Sequence, residues 1–373
     1  MVKHALLSAS SSHRWINCPP SIRAGEKYEN RGSEYAREGT EAHLLCEYKL
    51  KKLLGIPMED PTSTLEFYSE QMAINAENYA AYILELYEKE KEKCIDPVVL
   101  IEQQVSYEKW VKDGFGTSDA IVVSDGVLHV IDYKNGSGIL VESEDNSQMR
   151  CYALGCLSMF DGIYDITEVA MHIFQPNRDN ISVSMLVKED LLEWADSVLK
   201  PAADLAYDGL GNYACGDWCQ FCPIKHTCRK RSEFAMEIAK YDFIEPAQLM
   251  DVEIEDVLAR VDELTSWASD IKEYALRQAL SGKEWKHWKV VAGRSVRKYA
   301  DEEKVAKAVI NAGYEPYEKK LLGITAMTKT LGKDKFDELL GDLIIKPEGK
   351  PVLVPLTDKR VPMNTAKEDF KEE

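Results

Sequence analysis

The alternation of apolar and polar residues predicts a β-hairpin within residues 116–138. Two short apolar runs, 120–123 and 127–131, are separated by an Asp-Gly pair, which is among the strongest sequence signals for a hairpin. In an antiparallel hairpin, the first residues of one strand lie beside the last residues of the other. We therefore expect Asp119 and Asp132 to converge at one end of a sheet.

Longer stretches of the chain show the periodicities of helices and strands. The predicted helices cover 33–54, 65–93, 146–160, 189–209, 245–282, 302–311 and 333–340, and the predicted strands cover 98–107, 167–175, 180–187 and 288–292. This order is typical of a mixed α/β fold in which helices pack on a small sheet. The last third of the chain is expected to be mainly helical.

Composition and charge narrow the classes of function. A formal charge of −18 argues against a protein that coats nucleic acid by bulk attraction, but it does not exclude an enzyme with a local basic channel. Basic residues concentrate at 225–231 and at 283–298. In the second segment, interleaved tryptophans suit either single-strand stacking or a solvated amphipathic edge. No apolar run approaches the ~20 residues of a membrane helix, and the N-terminus lacks the apolar core of a signal peptide. We expect a cytoplasmic protein without a membrane partner.

The charged residues of the hairpin suggest a catalytic chemistry. Asp132 and Lys134 are two residues apart and point to the same face, because the side-chain period of a strand is two. Two carboxylates and a lysine on one face can hold a divalent cation and an activated water. An ordinary surface hairpin with exposed charges is the alternative. Glu102, on the preceding predicted strand, faces either this site or solvent.

The distribution of the nine cysteines predicts a metal site. Their odd number, without an export signal, argues against a disulfide framework. Cys219, Cys222 and Cys228 follow a spacing that is typical of metal ligands. Cys215 as the fourth ligand would make a zinc knuckle. Cys18 as the fourth ligand would instead staple the N-terminal segment to a loop roughly 200 residues away, which would stabilise the fold by several kcal/mol. Four thiolates also suit a [4Fe–4S] cluster, and buried cysteines without a metal are the remaining alternative.

Five short motifs occur in a fixed order along the chain. They are Glu38-Gly39-Thr40-x-x-His43, Gly116-Thr117-Ser118-Asp119, Asp132-Tyr133-Lys134, Gln148-x-x-x-Tyr152, and Cys18 with Cys219, Cys222 and Cys228. On these motifs the chain resembles the PD-(D/E)XK nuclease superfamily, and within it the RecB/AddB-type and CRISPR-associated exonucleases that carry an iron–sulfur staple. It is also similar to a family of phage and prophage proteins encoded near replication genes. The resemblance covers residues 8–235, whereas residues 245–373 resemble the phage group alone.

The resemblance implies a metal site and a role for each residue in it. By analogy with the family, the His43 imidazole, the Asp119 and Asp132 carboxylates and the backbone carbonyl of Tyr133 would hold Mg²⁺ or Mn²⁺. Lys134 would orient the attacking water and stabilise developing negative charge. Asp132 stands where many relatives carry glutamate, and either residue binds Mg²⁺.

The resemblance also assigns supporting residues. Gln148 and Tyr152 would position the DNA backbone or support the site. Glu47 lies one helical turn after His43 and is expected to be its hydrogen-bond partner. The resemblance favours Cys18 over Cys215 as the fourth ligand of a [4Fe–4S] cluster, with zinc as the alternative metal.

The function implied by the resemblance is that of a metal-dependent deoxyribonuclease, most closely an exonuclease. It would hydrolyse phosphodiester bonds to leave 5′-phosphate ends during phage replication, recombination, repair or end processing. The expected partners are DNA and phage replication or recombination proteins such as a single-strand-binding protein or a polymerase. A weakly cutting module that binds DNA or a replication partner, with a structural zinc or iron–sulfur site, is the alternative. The expected organisation is a nuclease domain with restriction-endonuclease-like core and metal staple over 1–235, and a mainly helical region of unknown role over 236–373.

Overall fold

A five-stranded mixed sheet forms the centre of the protein. The computed structural model describes residues 5–28, 34–160, 162–237, 249–292, 299–317, 323–324, 327, 331–340 and 343–344. The strands are β1 (Val98–Ser106), β2 (Phe115–Val123), β3 (Gly126–Tyr133), β4 (Ile166–Gln175) and β5 (Asn180–Val187), and they lie side by side in chain order. Neighbouring strands pair antiparallel except β3 and β4, which pair parallel.

Helices surround this sheet. Those of the first part of the chain are α1 (Ser12–Asn17), α2 (Ser21–Gly25), α3 (Glu34–Leu53), α4 (Glu70–Lys91), α5 (Ser147–Phe160), α6 (Lys188–Trp194), α7 (Lys200–Asp208) and α8 (Arg229–Met236). Those of the last part are α9 (Asp251–Leu280), α10 (Glu302–Asn311) and α11 (Lys333–Leu340). A π-helical turn, Ala195–Leu199, joins α6 to α7. Helix α5 is the crossover that the parallel pair requires.

Both faces of the sheet are buried because apolar side chains alternate along its central strands. On one face, Ile121 and Val130 pack with α5 residues such as Leu154. On the other face, Ala120, Val122 and Ile131 pack with residues of α3 and α4, whose mutual packing closes this layer. The predicted mixed α/β fold, with a small sheet flanked by helices and a helical C-terminal region, is confirmed.

The predicted hairpin is confirmed, and its register fixes the geometry of the site. Ala120 pairs with Ile131 and Val123 with Leu128, and Ser124 N donates a 3.1 Å hydrogen bond to Val127 O, so the two-residue turn is Asp125–Gly126, as predicted. Gly126 has a left-handed φ of +92°, which suits glycine. Other elements follow the predicted order, including helices at 302–311 and 333–340.

Two predicted elements differ from the structure. The helix predicted over 65–93 begins at Glu70, because the hydroxyl of Ser69 caps it by accepting a hydrogen bond from Met72 N at 3.1 Å. The strand predicted over 288–292 is wrong, since this segment has only an isolated bridge between Trp285 and Trp288. Residues 238–248 and 293–298, which fall within or beside predicted elements, lie outside the described residues.

The chain divides into two compact units, Met1–Arg277 and Gln278–Glu373, and the organisation expected from the sequence, with a boundary after residue 235, stays a prediction. Within the first unit, buried Arg231 pairs with Glu263 and Asp270 of α9. In the second unit, Lys283 Nζ lies 4.2 Å above the Trp285 ring. None of the described helices is both long and apolar enough to cross a membrane.

Candidate metal centre

The hairpin places Asp119 and Asp132 next to each other on adjacent strands. They directly follow the Ala120–Ile131 pair in the antiparallel register, as the sequence predicted. The backbone N–H of Tyr133 donates a 2.7 Å hydrogen bond to Asp119 Oδ2, which fixes the orientation of that carboxylate. Asp132 is buried, whereas Asp119 is partly accessible, with 12% of its side chain exposed. One acid is therefore open to ligand while the other is enclosed by protein.

Helix α3 brings His43 to the same end of the sheet. Its buried residues Ala42 and Leu45 pack against the sheet, which turns His43 toward β2 and leaves its Nδ1 3.2 Å from Asp119 Oδ2. The ring also meets Tyr133 edge to face at 5.6 Å. Burial lowers the pKa of His43, but the nearby carboxylates outweigh this and raise its pKa to about 9. A protonated His43 thus balances the acids when no cation is bound.

Lys134, Asp132 and Gln148 form a bonded triangle. Lys134 Nζ lies 2.8 Å from Asp132 Oδ2 and donates a 3.1 Å hydrogen bond to Gln148 Oε1. The Gln148 amide donates to Asp132 Oδ1 at 3.1 Å and to the Tyr152 hydroxyl at 3.2 Å. Burial lowers the pKa of Lys134, but attraction to Asp132 raises it by more, so the lysine remains a cation.

Gln148 and Tyr152 therefore reach the site by way of Asp132 and Lys134. They are one turn apart on α5, as their spacing predicted. Asn146 caps the start of this helix, because its Oδ1 accepts hydrogen bonds from the backbone N–H groups of Gln148 and Met149. Tyr152 is also packed against Gly116, where a Cβ would lie 2.7 Å from the tyrosine ring. The absence of a side chain at Gly116 is thus what lets Tyr152 approach β2.

Glu102 also belongs to the site. The sequence alone left open whether its side chain faces the site or solvent. Its φ of +49° is left-handed, and it lies between the regular pairs Ile101–Ala120 and Gln103–Ser118. This conformation costs a non-glycine residue roughly 1–2 kcal/mol. It accompanies a side chain that reaches His43 and Asp119: donor atoms of the three residues all lie within 4.8 Å of one another. Burial, together with repulsion from Asp119, raises the pKa of Glu102 to about 7.

The close group of donors differs from the expected ligand set. The expected set combined His43, Asp119 and Asp132, but in the described part of the chain Glu102 takes the place of Asp132 in the group that meets the 4.8 Å distance. Asp132 Oδ2 is buried and, apart from its ion pair with Lys134, accepts no hydrogen bond from the described residues. Glu47, expected beside His43, forms a 2.5 Å ion pair with Lys51 instead.

An open cleft adjoins this site. Its volume is about 210 Å³, and its walls include His43, Tyr133 and Lys134 together with the polar residues Asn135 and Asn177. Tyr35 of α3, whose side chain is largely exposed, stands at the same cleft. A ligand in the cleft would therefore contact both the imidazole and the ammonium group of the site.

A second, smaller cavity gathers four of the predicted thiols. Cys18, Cys219, Cys222 and Cys228 all line it, whereas Cys215 does not. The backbone N–H of Ala214 lies 3.5 Å from Cys18 Sγ, so the N-terminal segment meets the cysteine loop at this cavity.

Cys215 has a different position from these four. Its Sγ lies 3.9 Å from Cys219 Sγ, and this contact lowers the pKa of Cys219 to about 7. Among the described residues, no three thiols come within 4.8 Å of one another. A single tetrahedral zinc needs sulfurs roughly 3.8 Å apart, given Zn–S bonds of about 2.3 Å. As they stand, the four thiols therefore do not all lie close enough together to hold one zinc.

Two of the four cations in the predicted basic segment 225–231, Lys225 and Arg231, pair with acids of the protein, whereas Arg229 and Lys230 are exposed. Arg231 is almost fully buried and pairs with Glu263 and Asp270, its Nη1 lying 2.5 Å from Asp270 Oδ2. Lys225 Nζ lies 2.7 Å from the other oxygen of Asp270. These two cations hold α9 on the cysteine loop and are not a free surface for DNA.

Comparison with known proteins shows a family for the chain and a likeness to solved structures. The family model described as "Protein of unknown function (DUF2800)" matches residues 4–361. The chain is also similar to a solved structure described as "Crystal structure of SSO0001", with 14% sequence identity and a TM-score of 0.22, over 52% of this chain and 98% of that chain. A TM-score this low carries no argument about fold or function.

Proposed function

The chain belongs to the DUF2800 family of proteins of unknown function, and we propose that it is a divalent-metal-dependent DNA nuclease that degrades DNA from its ends. One observation carries the proposal: His43, Asp119, Asp132 and Lys134 converge beside an open cleft, although they come from α3, β2 and the end of β3. These are the residues that the PD-(D/E)XK resemblance assigns to phosphodiester hydrolysis. An ordinary charged hairpin has no need of a buried carboxylate–lysine pair.

The donor set fits Mg²⁺ or Mn²⁺. Carboxylate oxygens are ligands that both ions prefer, and an imidazole is accepted more readily by Mn²⁺. Asp132 Oδ2 is a buried carboxylate oxygen that accepts no hydrogen bond from the described residues, and a group of that kind is costly unless something pairs with it. Lys134 partly compensates it, and a cation would complete the compensation.

The residues of the chain divide the chemical tasks between them. A bound cation would lower the pKa of a water and polarise a phosphoryl oxygen. Lys134 would hold the attacking water and stabilise negative charge that develops on the phosphate. Gln148 would keep both Lys134 and Asp132 in position through its two amide atoms. The products would be a 5′-phosphate end and a 3′-hydroxyl end.

We further propose that the cysteine cavity holds a [4Fe–4S] cluster with Cys18 as the fourth ligand. Cys18 lines the cavity with Cys219, Cys222 and Cys228, and the wide separation of the thiols suits a cluster better than one zinc. Cys215 would support Cys219 by its contact with that sulfur. The cluster would be structural, because it lies in a separate cavity from the carboxylates.

Nuclease assays on matched variants test the enzyme proposal. We expect the purified protein with Mn²⁺ to degrade linear DNA labelled at either end and to spare covalently closed circles. Asp119→Ala and Lys134→Ala should each reduce the rate by at least a hundredfold, whereas Lys272→Ala, which alters an exposed lysine on α9, should leave it unchanged. Equal cleavage by wild type and both site variants would rule out the assigned site.

The same preparations distinguish a nuclease from a binding module. A wild-type protein that retains DNA in a gel-shift assay but cuts no faster than Asp119→Ala would favour the weakly cutting module. Cleavage of circles as fast as linear DNA would favour an endonuclease with the same site. Faster cleavage of a matched RNA would change the substrate class and leave the residue assignments intact.

A further inference from the structure

We infer that the turn formed by residues 283–289, the tryptophan turn, binds single-stranded nucleic acid by stacking a base on the Trp288 indole. The turn belongs to the second compact unit, Gln278–Glu373, whereas the residues of the proposed nuclease site belong to the first. The inference therefore concerns a separate surface and does not depend on the proposed cleavage chemistry. The sequence left two interpretations of this segment, single-strand stacking or a solvated amphipathic edge, and the exposure of the tryptophans distinguishes them.

Trp288 is exposed to an extent that is unusual for its residue type. Its relative exposure is 82%, although the large apolar indole normally makes tryptophan a highly buried residue. In the part of the chain that the structure describes, neither another aromatic ring nor a cation contacts the Trp288 ring. An amphipathic edge would direct its tryptophans into a core, so that interpretation does not explain Trp288. The ring is instead a free stacking surface.

The backbone holds two tryptophans at the ends of a tight turn. Trp285 and Trp288 form an antiparallel bridge, and Trp288 N donates a 3.2 Å hydrogen bond to Trp285 O, which leaves Lys286 and His287 at the tip. Partners in an antiparallel pair direct their side chains to the same face, with Cβ atoms about 4.5–5.5 Å apart. The Lys283 ammonium lies 4.2 Å above the Trp285 ring. A base on Trp288 would thus lie beside a second indole and a cation.

The tryptophan turn carries positive charge on a strongly acidic protein. Lys283, Lys286 and Lys289 are exposed, and Glu284 is the one acidic residue in the sequence of the turn, against a formal net charge of −18 for the chain. Among the described residues, no acid pairs with Lys286 or Lys289, in contrast to the buried Arg231 of α8. These ammonium groups can therefore contact phosphates while a base stacks on the indole, which is the combination that single-strand binding surfaces use.

The same chemistry selects a single strand over a duplex. Within a duplex, each base is stacked between its neighbours, so its faces are closed to an indole. An unpaired base offers its face to any aromatic side chain. Because every base has such a face, stacking depends little on sequence. We therefore expect the tryptophan turn to hold a strand without reading its sequence.

The stacking contact is tested by binding of the full-length protein to a fluorescein-labelled oligothymidylate of about 20 nucleotides, longer than a typical site of this kind. Divalent cations are left out, which makes the measurement independent of cleavage. A base stacked on an aromatic side chain contributes about 1–3 kcal/mol, so Trp288→Ala should raise the dissociation constant about 5- to 150-fold. Trp288→Phe, which keeps an aromatic ring, should retain most of the affinity. Tyr314→Ala removes a similarly exposed aromatic residue of the same unit and should bind as wild type does.

Salt dependence tests the lysines separately from the ring. Each phosphate that is neutralised on a single strand contributes about 0.7 to the slope of log K against log salt concentration. Lys286→Gln combined with Lys289→Gln should therefore reduce the magnitude of this slope by about 1.4. Lys307→Gln changes an exposed lysine on α10 of the same unit and should leave the slope unchanged. An unchanged slope in the double variant would show that these two lysines do not contact phosphates.

The outcomes separate this inference from the proposed function. If Trp288→Ala binds the oligonucleotide as tightly as wild type, the tryptophan turn is not the binding surface, even in a protein that cuts DNA. Equal affinity for a duplex of the same length would rule out stacking. Exposed tryptophan and lysine also suit a membrane surface, so Trp288-dependent binding of phosphatidylserine vesicles without binding of the oligonucleotide would overturn the inference. Trp288-dependent binding of the oligonucleotide by a protein that cuts no DNA would support it and overturn the nuclease proposal alone.

Discussion

Adding a single methyl group at Gly116 should disturb the site. A methyl group there would lie 2.7 Å from Cε1 of Tyr152, and the Tyr152 hydroxyl accepts the hydrogen bond that helps hold Gln148. We predict that Gly116→Ala lowers the free energy of unfolding by about 1–3 kcal/mol, as overpacking typically does. DNA cleavage should fall roughly tenfold or more, the usual effect of displacing a residue that orients ligands.

Gly138→Ala is the matched control for this prediction. It lies shortly after the same hairpin, and a Cβ there would meet no atom within 4 Å. Urea unfolding and initial cleavage rates should therefore match wild type for Gly138→Ala and differ for Gly116→Ala. If the two variants behave alike, the contact between Gly116 and Tyr152 does not support the site.

Single residues also show what a sequence can and cannot predict about such a site. The meeting of Asp119 with Asp132 was predictable, because antiparallel register is set by a short turn. The contribution of Glu102 was not, since a left-handed residue in the middle of a strand has no sequence signal unless it is glycine. The Glu47–Lys51 ion pair, in contrast, has a sequence signal, because a lysine four residues after a glutamate is a favourable pair on a helix, and this lysine competes with His43 for the same carboxylate.

A chain of buried polar groups joins α4 to the sheet. The Tyr82 hydroxyl lies 2.8 Å from His172 Nδ1, and His172 Nε2 lies 3.0 Å from His129 Nδ1. His129 Nε2 is in turn 3.5 Å from Glu90 Oε1. Burial, with a smaller contribution from His129, lowers the pKa of His172 to about 3. Burial also lowers the pKa of His129.

The buried His172 in this chain of polar groups should make the stability of the fold fall in mild acid. The folded pKa of His172 is below the unfolded value of about 6.5, so the unfolded chain binds the proton more readily. Stability from this residue is complete above pH 6.5 and is lost as the pH falls toward 3, by about 1.4 kcal/mol per pH unit. At pH 5 the loss should be about 2 kcal/mol.

The measurement is the difference between wild type and His172→Gln in urea unfolding at pH 5 and pH 7. A difference is needed because Glu102, whose folded pKa is raised to about 7, stabilises the fold as it gains a proton over the same interval. We expect the variant to lose about 2 kcal/mol less than wild type between pH 7 and pH 5. Parallel losses in the two proteins would mean that His172 is protonated in the fold.

Element boundaries show the limits of periodicity. The centres of α3, α4 and α5 were predictable from their apolar spacing, and so was the order of helices and strands along the chain. The start of α4 was predicted five residues too early, because residues 65–69 continue the helical pattern but Ser69 caps the helix. The pairing of His129 with His172 depends on the parallel register of β3 and β4, which no local pattern specifies.

At the scale of the whole molecule, the cysteine loop joins segments that are far apart in sequence. Cys18 brings the N-terminal helices to the loop. Arg231 and Lys225 hold α9 there through Glu263 and Asp270. His226 stacks on Tyr274 with ring centroids 4.3 Å apart. The cysteine spacing predicted a metal site, but these contacts with α9 had no sequence signal, because ion pairs between distant segments leave no periodic pattern.

The position of α9 leads to a prediction about loss of the cluster. Closing a loop of about 200 residues through Cys18 stabilises the fold by about 5 kcal/mol in the chain-entropy model. Cys18→Ser should therefore remove the visible absorbance of an iron–sulfur cluster and lower the melting temperature. Because Lys225 and Arg231 flank the cavity, the loop should loosen and the amides of α9 at 251–270 should exchange with deuterium faster.

Cys215→Ser is the matched control, since Cys215 belongs to the same loop but does not line the cavity. It should keep the absorbance and the slow exchange of α9, with at most a small change in cluster stability from the loss of its contact with Cys219. The reverse result, in which Cys215→Ser loses the cluster and Cys18→Ser keeps it, would assign the fourth ligand to Cys215. If wild type is colourless and contains one zinc per chain, the bound group is zinc and not an iron–sulfur cluster. In that case α9 should be released by a zinc chelator instead, because its ion pairs depend on the shape of the loop and not on the identity of the metal.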